Sequence, residues 1–280
     1  MKLYGIVGHP VMHSLSPVMH YAAFKAAGIE AEYRLFDMDP AHPEDLENFC
    51  YETEVNNISG FSVTMPYKQA IMAYMDRCDP LAKAVGSVNT VAIKKHEKFD
   101  SHLLIGYNTD VTGAMKALNQ KTRLPGKRAL VLGAGGAARA IAYGLRECGA
   151  DVHIFNRTME TAKALANEFN VEFIEYRHIT KRANFDVVVN TTPVGSEPAT
   201  RESLLHADRI KEGAVVMDLV TNPMETQLLK EARKAGAETI TGERMLLHQA
   251  AGQFAIWFGQ TAPLEAMEKA LYAQLQKQKR

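Results

Sequence analysis

The chain has 280 residues, room for two domains at about 150 residues each, and its 32 lysines and arginines balance 32 aspartates and glutamates. That neutrality removes the electrostatic case for a nucleic-acid face and weakens one for an anionic membrane surface. At 46% hydrophobic and 23% charged residues, the composition is that of a chain with a buried core, which excludes disorder.

Cys50, Cys78 and Cys148 lie far apart and form no C-x-x-C, so neither a zinc site nor a disulfide framework is expected. The histidines show no metal-ligand spacing, and the expectation is no metal. Residues 1–10 carry too short an apolar run for a signal peptide, and no run reaches membrane-spanning length. The expected location is therefore cytoplasmic.

Strand-like and helix-like runs alternate from end to end, the pattern of an α/β protein with largely parallel sheets. Strands are expected at 3–7, 32–36, 60–64, 88–93 and 103–107. A helix should start with Ser16 as N-cap and Pro17 at the first helical position. Another should begin at Pro66, which would put Lys68 in a first helical turn, a poor place for a cation. A polar linker at 121–126 ends in Pro125-Gly126. Beyond it strands at 128–132, 152–155, 171–174, 186–190, 214–218 and 238–241 alternate with helices at 137–147, closed by Gly149, and at 159–169. Six strands in that rhythm fit a doubly wound nucleotide-binding sheet. Residues 244–277 read as helix interrupted near 259–263, and they should return to the first domain. The domain assignment is then 1–111 plus 244–280 for one domain and 112–243 for the other.

The run Val131-Leu132-Gly133-Ala134-Gly135-Gly136-Ala137-Ala138 follows a strand and opens a helix. Gly133 allows the tight turn, Gly135 lets the backbone approach a pyrophosphate, and Ala138 permits close helix–strand packing. The phosphates would sit on the helix N-terminus. At the end of the next strand stand Asn156-Arg157-Thr158. An NAD site places a carboxylate there for the ribose hydroxyl, whereas Arg157 suits a 2′-phosphate, so NADP is preferred over NAD. The bland alternative for Arg157 is a solvated surface residue. Thr192, after the fourth strand, lies where such folds bind ligands, although Thr191–Gly195 also reads as a plain Pro-Gly turn.

In the first domain polar residues cluster where strands meet helices: Ser14-Leu15-Ser16-Pro17, Ser62-Val63-Thr64-Met65-Pro66-Tyr67-Lys68, Val88-Asn89-Thr90 and Asn108-Thr109-Asp110. Capping and turn roles explain Ser14, Ser16 and Asp110 taken singly. Taken together, and with the glycine run, Asn156-Arg157-Thr158 and Met245-Leu246-Leu247-His248-Gln249-Ala250, these segments resemble the shikimate dehydrogenase family, and the resemblance runs essentially end to end.

The resemblance implies NADPH-dependent reduction of 3-dehydroshikimate to shikimate, in chorismate and aromatic amino-acid biosynthesis, with substrate on the N-terminal domain and cofactor on the other. It implies Lys68 and Asp110 as the catalytic pair. Ser14 and Ser16 would take the substrate carboxylate, and Thr64, Asn89 and Gln249 the ring hydroxyls. Gly133, Gly135, Gly136, Ala137, Asn156, Arg157, Thr158 and Thr192 would hold the cofactor, with Gly242 and Met245 flanking the nicotinamide. Three positions depart from the family pattern. Ser62 replaces an Asn, Thr161 replaces a second cation for the 2′-phosphate, and Thr221 replaces a Tyr that helps hold the substrate. The alternatives are a dehydrogenase acting on both quinate and shikimate, and a non-catalytic sensor of NADP(H) or a cyclic acid. The expected assembly is a monomer or a homodimer.

Overall fold

A computed structural model of the chain describes residues 1–95 and 101–278. It divides into two compact units. One comprises Met1–Thr109 and the segment from Gln249 onward, and the other Asp110–His248.

The first unit opens with β1 (Lys2–Gly8), α1 (Ser16–Ala26), β2 (Ala31–Asp37), α2 (Pro43–Tyr51) and β3 (Ile58–Val63). Then come β4 (Arg77–Cys78), α3 (Pro80–Val85), β5 (Thr90–Lys95) and β6 (His102–Tyr107). These strands form one sheet in the order β2-β1-β3-β5-β6-β4. β1 runs parallel to β2 and β3, but β5 runs antiparallel to both β3 and β6. The expectation of largely parallel sheets therefore holds, with β4 also parallel to β6 and β5 as the antiparallel exception. A parallel connection needs a crossover of a dozen or more residues, and the segment between β5 and β6 is too short for one.

Two local expectations are corrected. Ser16 is the first residue inside α1, not its cap; the cap position is Leu15, and the Ser16 N–H donates to Ser14 Oγ at 3.2 Å. No α-helix begins at Pro66, so Lys68 does not sit in a helical turn. Residues 65–69 are a turn leading to a short 3-10 segment, Ala70–Tyr74. The reason is a long-range bond: the Lys68 carbonyl accepts the Val88 N–H at 2.7 Å, which takes it out of any helical ladder. Met72 N–H turns to Gln69 O instead. The buried Tyr67 ring anchors the turn, its hydroxyl donating to Met38 O at 2.9 Å.

The second unit contains α4 (Asp110–Asn119), β7 (Arg128–Leu132), α5 (Gly136–Glu147), β8 (Asp151–Phe155), α6 (Met159–Phe169), β9 (Glu172–Phe173), β10 (Val187–Asn190), β11 (Val215–Asp218), α7 (Gln227–Lys234) and β12 (Glu238–Ile240). Its sheet is wholly parallel in the order β12-β11-β10-β7-β8-β9. Two halves wound outward from β7 make this the doubly wound arrangement. β10 and β11 are buried at every position, as continuous apolar runs in a two-faced parallel sheet should be. Gly149, just past the end of α5, takes φ +79°, the left-handed turn that stops a helix cheaply.

The chain ends with α8 (Gly242–Phe258) and α9 (Leu264–Gln278). α9 packs on α1, so the return of the C-terminal helices to the first unit is as expected. Phe254, Trp257 and Phe258 join Tyr4 and Phe24 in an aromatic cluster on one face of the sheet. Gly60 makes room for it, since a Cβ there would lie 2.7 Å from the Trp257 indole nitrogen. The opposite face is covered by an aliphatic and aromatic cluster that includes Leu46, Phe49, Phe61 and Ile71. Among the described residues no helix is long and apolar enough to cross a membrane, and no group of three or more His, Cys, Asp or Glu is placed to hold a metal.

Candidate active site

In the first unit the site is built on Asn89, which immediately precedes β5 and is fully buried. The Thr109 N–H donates to its Oδ1 at 2.8 Å, as does the Thr90 hydroxyl. Its Nδ2 donates to Thr109 Oγ1 and to Gln249 Oε1, both at 2.9 Å. A second buried amide, Asn108, donates to the carbonyl and the hydroxyl of Ser87. Two satisfied amides thus stitch residues 87–90 to residues 108–109.

Lys68 is pinned to this same segment through its carbonyl bond to Val88. Its side chain is half-buried. Thr64, also half-buried, follows β3 and is held by its N–H on Val7 O at 2.9 Å. Asp110 follows Thr109 directly. It is 1% exposed and is the first residue of α4, where the helix dipole favours a carboxylate. Ser14 and Ser16 lie together at the start of α1, the first half-buried and the second buried.

Three further residues, Gln253, His20 and Tyr33, complete this network, and the sequence reading missed them. Gln253 is 2% exposed and accepts at Oε1 from Ser62 Oγ (3.1 Å), facing His20 Nε2 with the same oxygen (3.2 Å). Ser62 pairs with the Tyr33 hydroxyl at 2.8 Å, and Tyr33 stacks on His20. Burial depresses the His20 pKa to about 4, so the ring is neutral near pH 7, and Nδ1 has no partner. Burial likewise raises the Tyr33 hydroxyl well above its ordinary value. One signal was available: Gln253 lies four residues after Gln249, on the same face of α8.

At its glycine turn the second unit offers space rather than side chains. Gly133 has φ +119°, and a Cβ on it would lie 2.3 Å from Thr191 Oγ1, so glycine is required by the fold. Gly135, the N-cap of α5, has an ordinary φ of −87°, and among the described residues a Cβ there would meet nothing within 4 Å beyond its own stretch of chain. Nothing internal demands glycine at 135. Gly136 and Ala137 follow as the first residues of α5. Arg139, in the first turn, is drawn aside by its ion pair with Glu168 and lies over the Phe169 ring.

At the end of β8 the Asn156 amide donates to Thr158 O (3.1 Å) and to Thr161 Oγ1 (2.8 Å), so it shapes its own loop. Arg157 is exposed and makes no hydrogen bond or ion pair with the described residues. At the ends of β10 and β11 a buried network, also missed, sets two loops. Asn190 Oδ1 accepts from the N–H and hydroxyl of Thr192, while its Nδ2 donates to Asp218 Oδ1 at 2.9 Å. Asp218 also accepts from the Val220 N–H and the Thr226 hydroxyl. Burial lifts its carboxyl to about 6. Thr221 lies half-buried in the second of these loops. Gly242 starts α8 against that loop, where a Cβ would lie 2.6 Å from Leu219 O, and Met245 is buried one turn on.

A doubly wound sheet with an open glycine turn at a helix N-terminus, joined in one chain to a polar α/β unit carrying a lysine, places the protein in the class of two-domain dinucleotide-dependent enzymes. Three family models match it: the shikimate dehydrogenase substrate binding domain at residues 6–91, shikimate / quinate 5-dehydrogenase at 115–233, and the shikimate 5′-dehydrogenase C-terminal domain at 242–272. The shikimate dehydrogenase (NADP(+)) of Methanobrevibacter smithii is 41% identical over 280 residues, covering 96% of each chain. Among solved structures, a shikimate dehydrogenase in complex with NADP+ aligns with a TM-score of 0.90 at 40% identity, over 98% of this chain and 96% of that one. Shikimate 5-dehydrogenase from Thermus thermophilus, in complex with NADP(H) and shikimate, aligns at 0.85 and 36% identity, over 98% and 99%. The chain belongs to the shikimate dehydrogenase family.

Proposed function

We propose that the protein catalyses the NADP-dependent interconversion of shikimate and 3-dehydroshikimate, the dehydrogenase step of aromatic amino-acid biosynthesis. The observation that carries this reading is the coexistence, in one chain with relatives of that activity, of a half-buried lysine beside an amide–hydroxyl network and an open glycine turn. The residues present suit the cofactor. The space at Gly135 leaves the α5 N–H groups approachable by a pyrophosphate. Arg157, without a partner among the described residues, is available to a 2′-phosphate, and no carboxylate stands in the Asn156-Arg157-Thr158 loop to favour a bare ribose. Gly133, Gly136, Ala137 and Thr192 would complete the cofactor's surroundings, with Gly242 and Met245 near the nicotinamide.

Bound NADPH supplies a hydride to the substrate ketone. Negative charge then grows on that oxygen, and Lys68 donates the proton that quenches it. In the reverse direction neutral Lys68 removes the proton from the hydroxyl. Asp110 is the second member of the catalytic pair that the family resemblance implies. Ser14 and Ser16, at the N-terminal end of α1, take the carboxylate, while Thr64 and Gln249 take the ring hydroxyls and Asn89, buried and already bonded, backs Gln249. Thr221 supplies a short hydroxyl where the family resemblance implies a phenol.

The test is initial rates on shikimate and quinate, each with NADP+ and NAD+, followed by the absorbance of the reduced nicotinamide. Shikimate with NADP+ should exceed every other combination by at least about tenfold in kcat/KM. Equal or faster turnover of quinate would assign the dual-specificity activity instead. Tight ligand binding without turnover would make the protein a sensor.

A further inference from the structure

The polar side chains inside the first unit form a hydrogen-bond chain that reaches a half-buried end at Gln249. Its direction is set by backbone. The Thr109 N–H is a donor only, so the Asn89 atom it meets is Oδ1, and the other terminal atom is the amide nitrogen. That nitrogen donates to Gln249 at 2.9 Å, so the Gln249 atom it meets is Oε1. Gln253 Nε2 reaches the same oxygen at 3.4 Å. An amide oxygen has two lone pairs, and both are met from inside the protein. What remains is the Gln249 amino group, which has no partner among the described residues.

Gln253 is held in one orientation too. Its Nε2 faces Asn89 O and Gln249 Oε1, both at 3.4 Å. Turned over, it would set an amide oxygen against two acceptors. It would also force the His20 proton onto Nδ1, which has no partner, and an unpaired buried N–H is costly. Ser62 and Tyr33 back the arrangement: Ser62 gives its proton to Gln253 Oε1 and takes that of Tyr33.

We propose that Gln253 is a positioning residue that fixes Gln249 as a hydrogen-bond donor, so that the ligand atom met there must be an acceptor, a lone pair on a ring oxygen. The inference rests on the functional reading above and deepens it. Gln253 itself is buried and acts only through Gln249.

Gln253→Met keeps the side-chain shape and removes the amide. Its KM for shikimate should rise about tenfold, the worth of one good hydrogen bond, with kcat and the KM for NADP+ held within about threefold. An unchanged KM for shikimate in a folded variant, or equal losses in all three constants, would overturn the proposal. Should that variant fold poorly, Gln249→Glu reads donor polarity directly. A carboxylate only accepts, whereas a protonated carboxyl donates. Relative to the parent at each pH, its KM penalty should therefore grow at least about tenfold between pH 5 and pH 8. A penalty that is flat or shrinks with pH overturns the proposal. Failure of the functional reading would look different, because the parent itself would then leave shikimate and NADP+ unreacted.

Discussion

In the first unit the candidate site is filled with side chains that already bond one another; in the second its glycine turn is a place where a side chain is missing. Asn89, Gln253 and Ser62 are buried and engaged, and Gln249 projects from them. At Gly135, by contrast, the fold leaves room it has no internal use for. A substitution in the first unit therefore acts by re-aiming neighbours, whereas one in the second acts by occupying a ligand's space.

The largest effect should come from removing the proton carrier. Lys68→Ala should lower kcat about a thousandfold, and turnover within a few-fold of the parent would take Lys68 out of the acid–base role. Next, the two units should respond to acid with opposite sign. His20, held near 4 against an ordinary 6.5, withholds a proton that the unfolded chain accepts, so its contribution is lost as pH falls from 6.5 through 4. Asp218, held near 6 against 3.8, contributes most below 3.8 and loses that as pH rises through 6. Each is worth at most about 3 kcal/mol. In denaturant titrations from pH 4 to pH 7, His20→Gln should flatten the acid-side loss and Asp218→Asn should remove the opposing slope. Identical pH profiles in parent and variants would mean that neither group is titrating as its surroundings dictate.

A sharper contrast uses one change at two glycines. Gly133→Val should cost at least about 2 kcal/mol of stability, because both the left-handed backbone and Thr191 oppose a side chain. Gly135→Val should leave the melting temperature alone and raise the KM for NADP+ about tenfold; an unmoved KM would mean that the open space serves no cofactor. The smallest effect is expected at Thr221→Tyr, which should tighten shikimate binding about threefold, close to one exposed hydrogen bond. Weaker binding would show a pocket rebuilt around threonine.

What was legible beforehand was local. The strands and glycine turn of the second unit are written as contiguous runs, and the structure places them where those runs predicted. What failed depended on distant partners. The turn at Pro66 hangs on the bond between Lys68 and Val88, twenty positions apart. The roles of Ser62 and Gln253 are fixed by each other across 191 positions. Asp218 is informative only once Asn190, Val220 and Thr226 surround it. No window of sequence contains such pairings.

The packing of the indole over Gly60 has a practical side. Trp257 is the chain's single tryptophan, and it is bonded through its ring nitrogen to Val91 O at 3.0 Å. Its fluorescence is therefore an optical reporter built into the first unit alone. Helical circular dichroism draws on both units. Following the two signals through one denaturation curve would separate the melting of the amide network from the melting of the glycine-turn sheet, with no label attached.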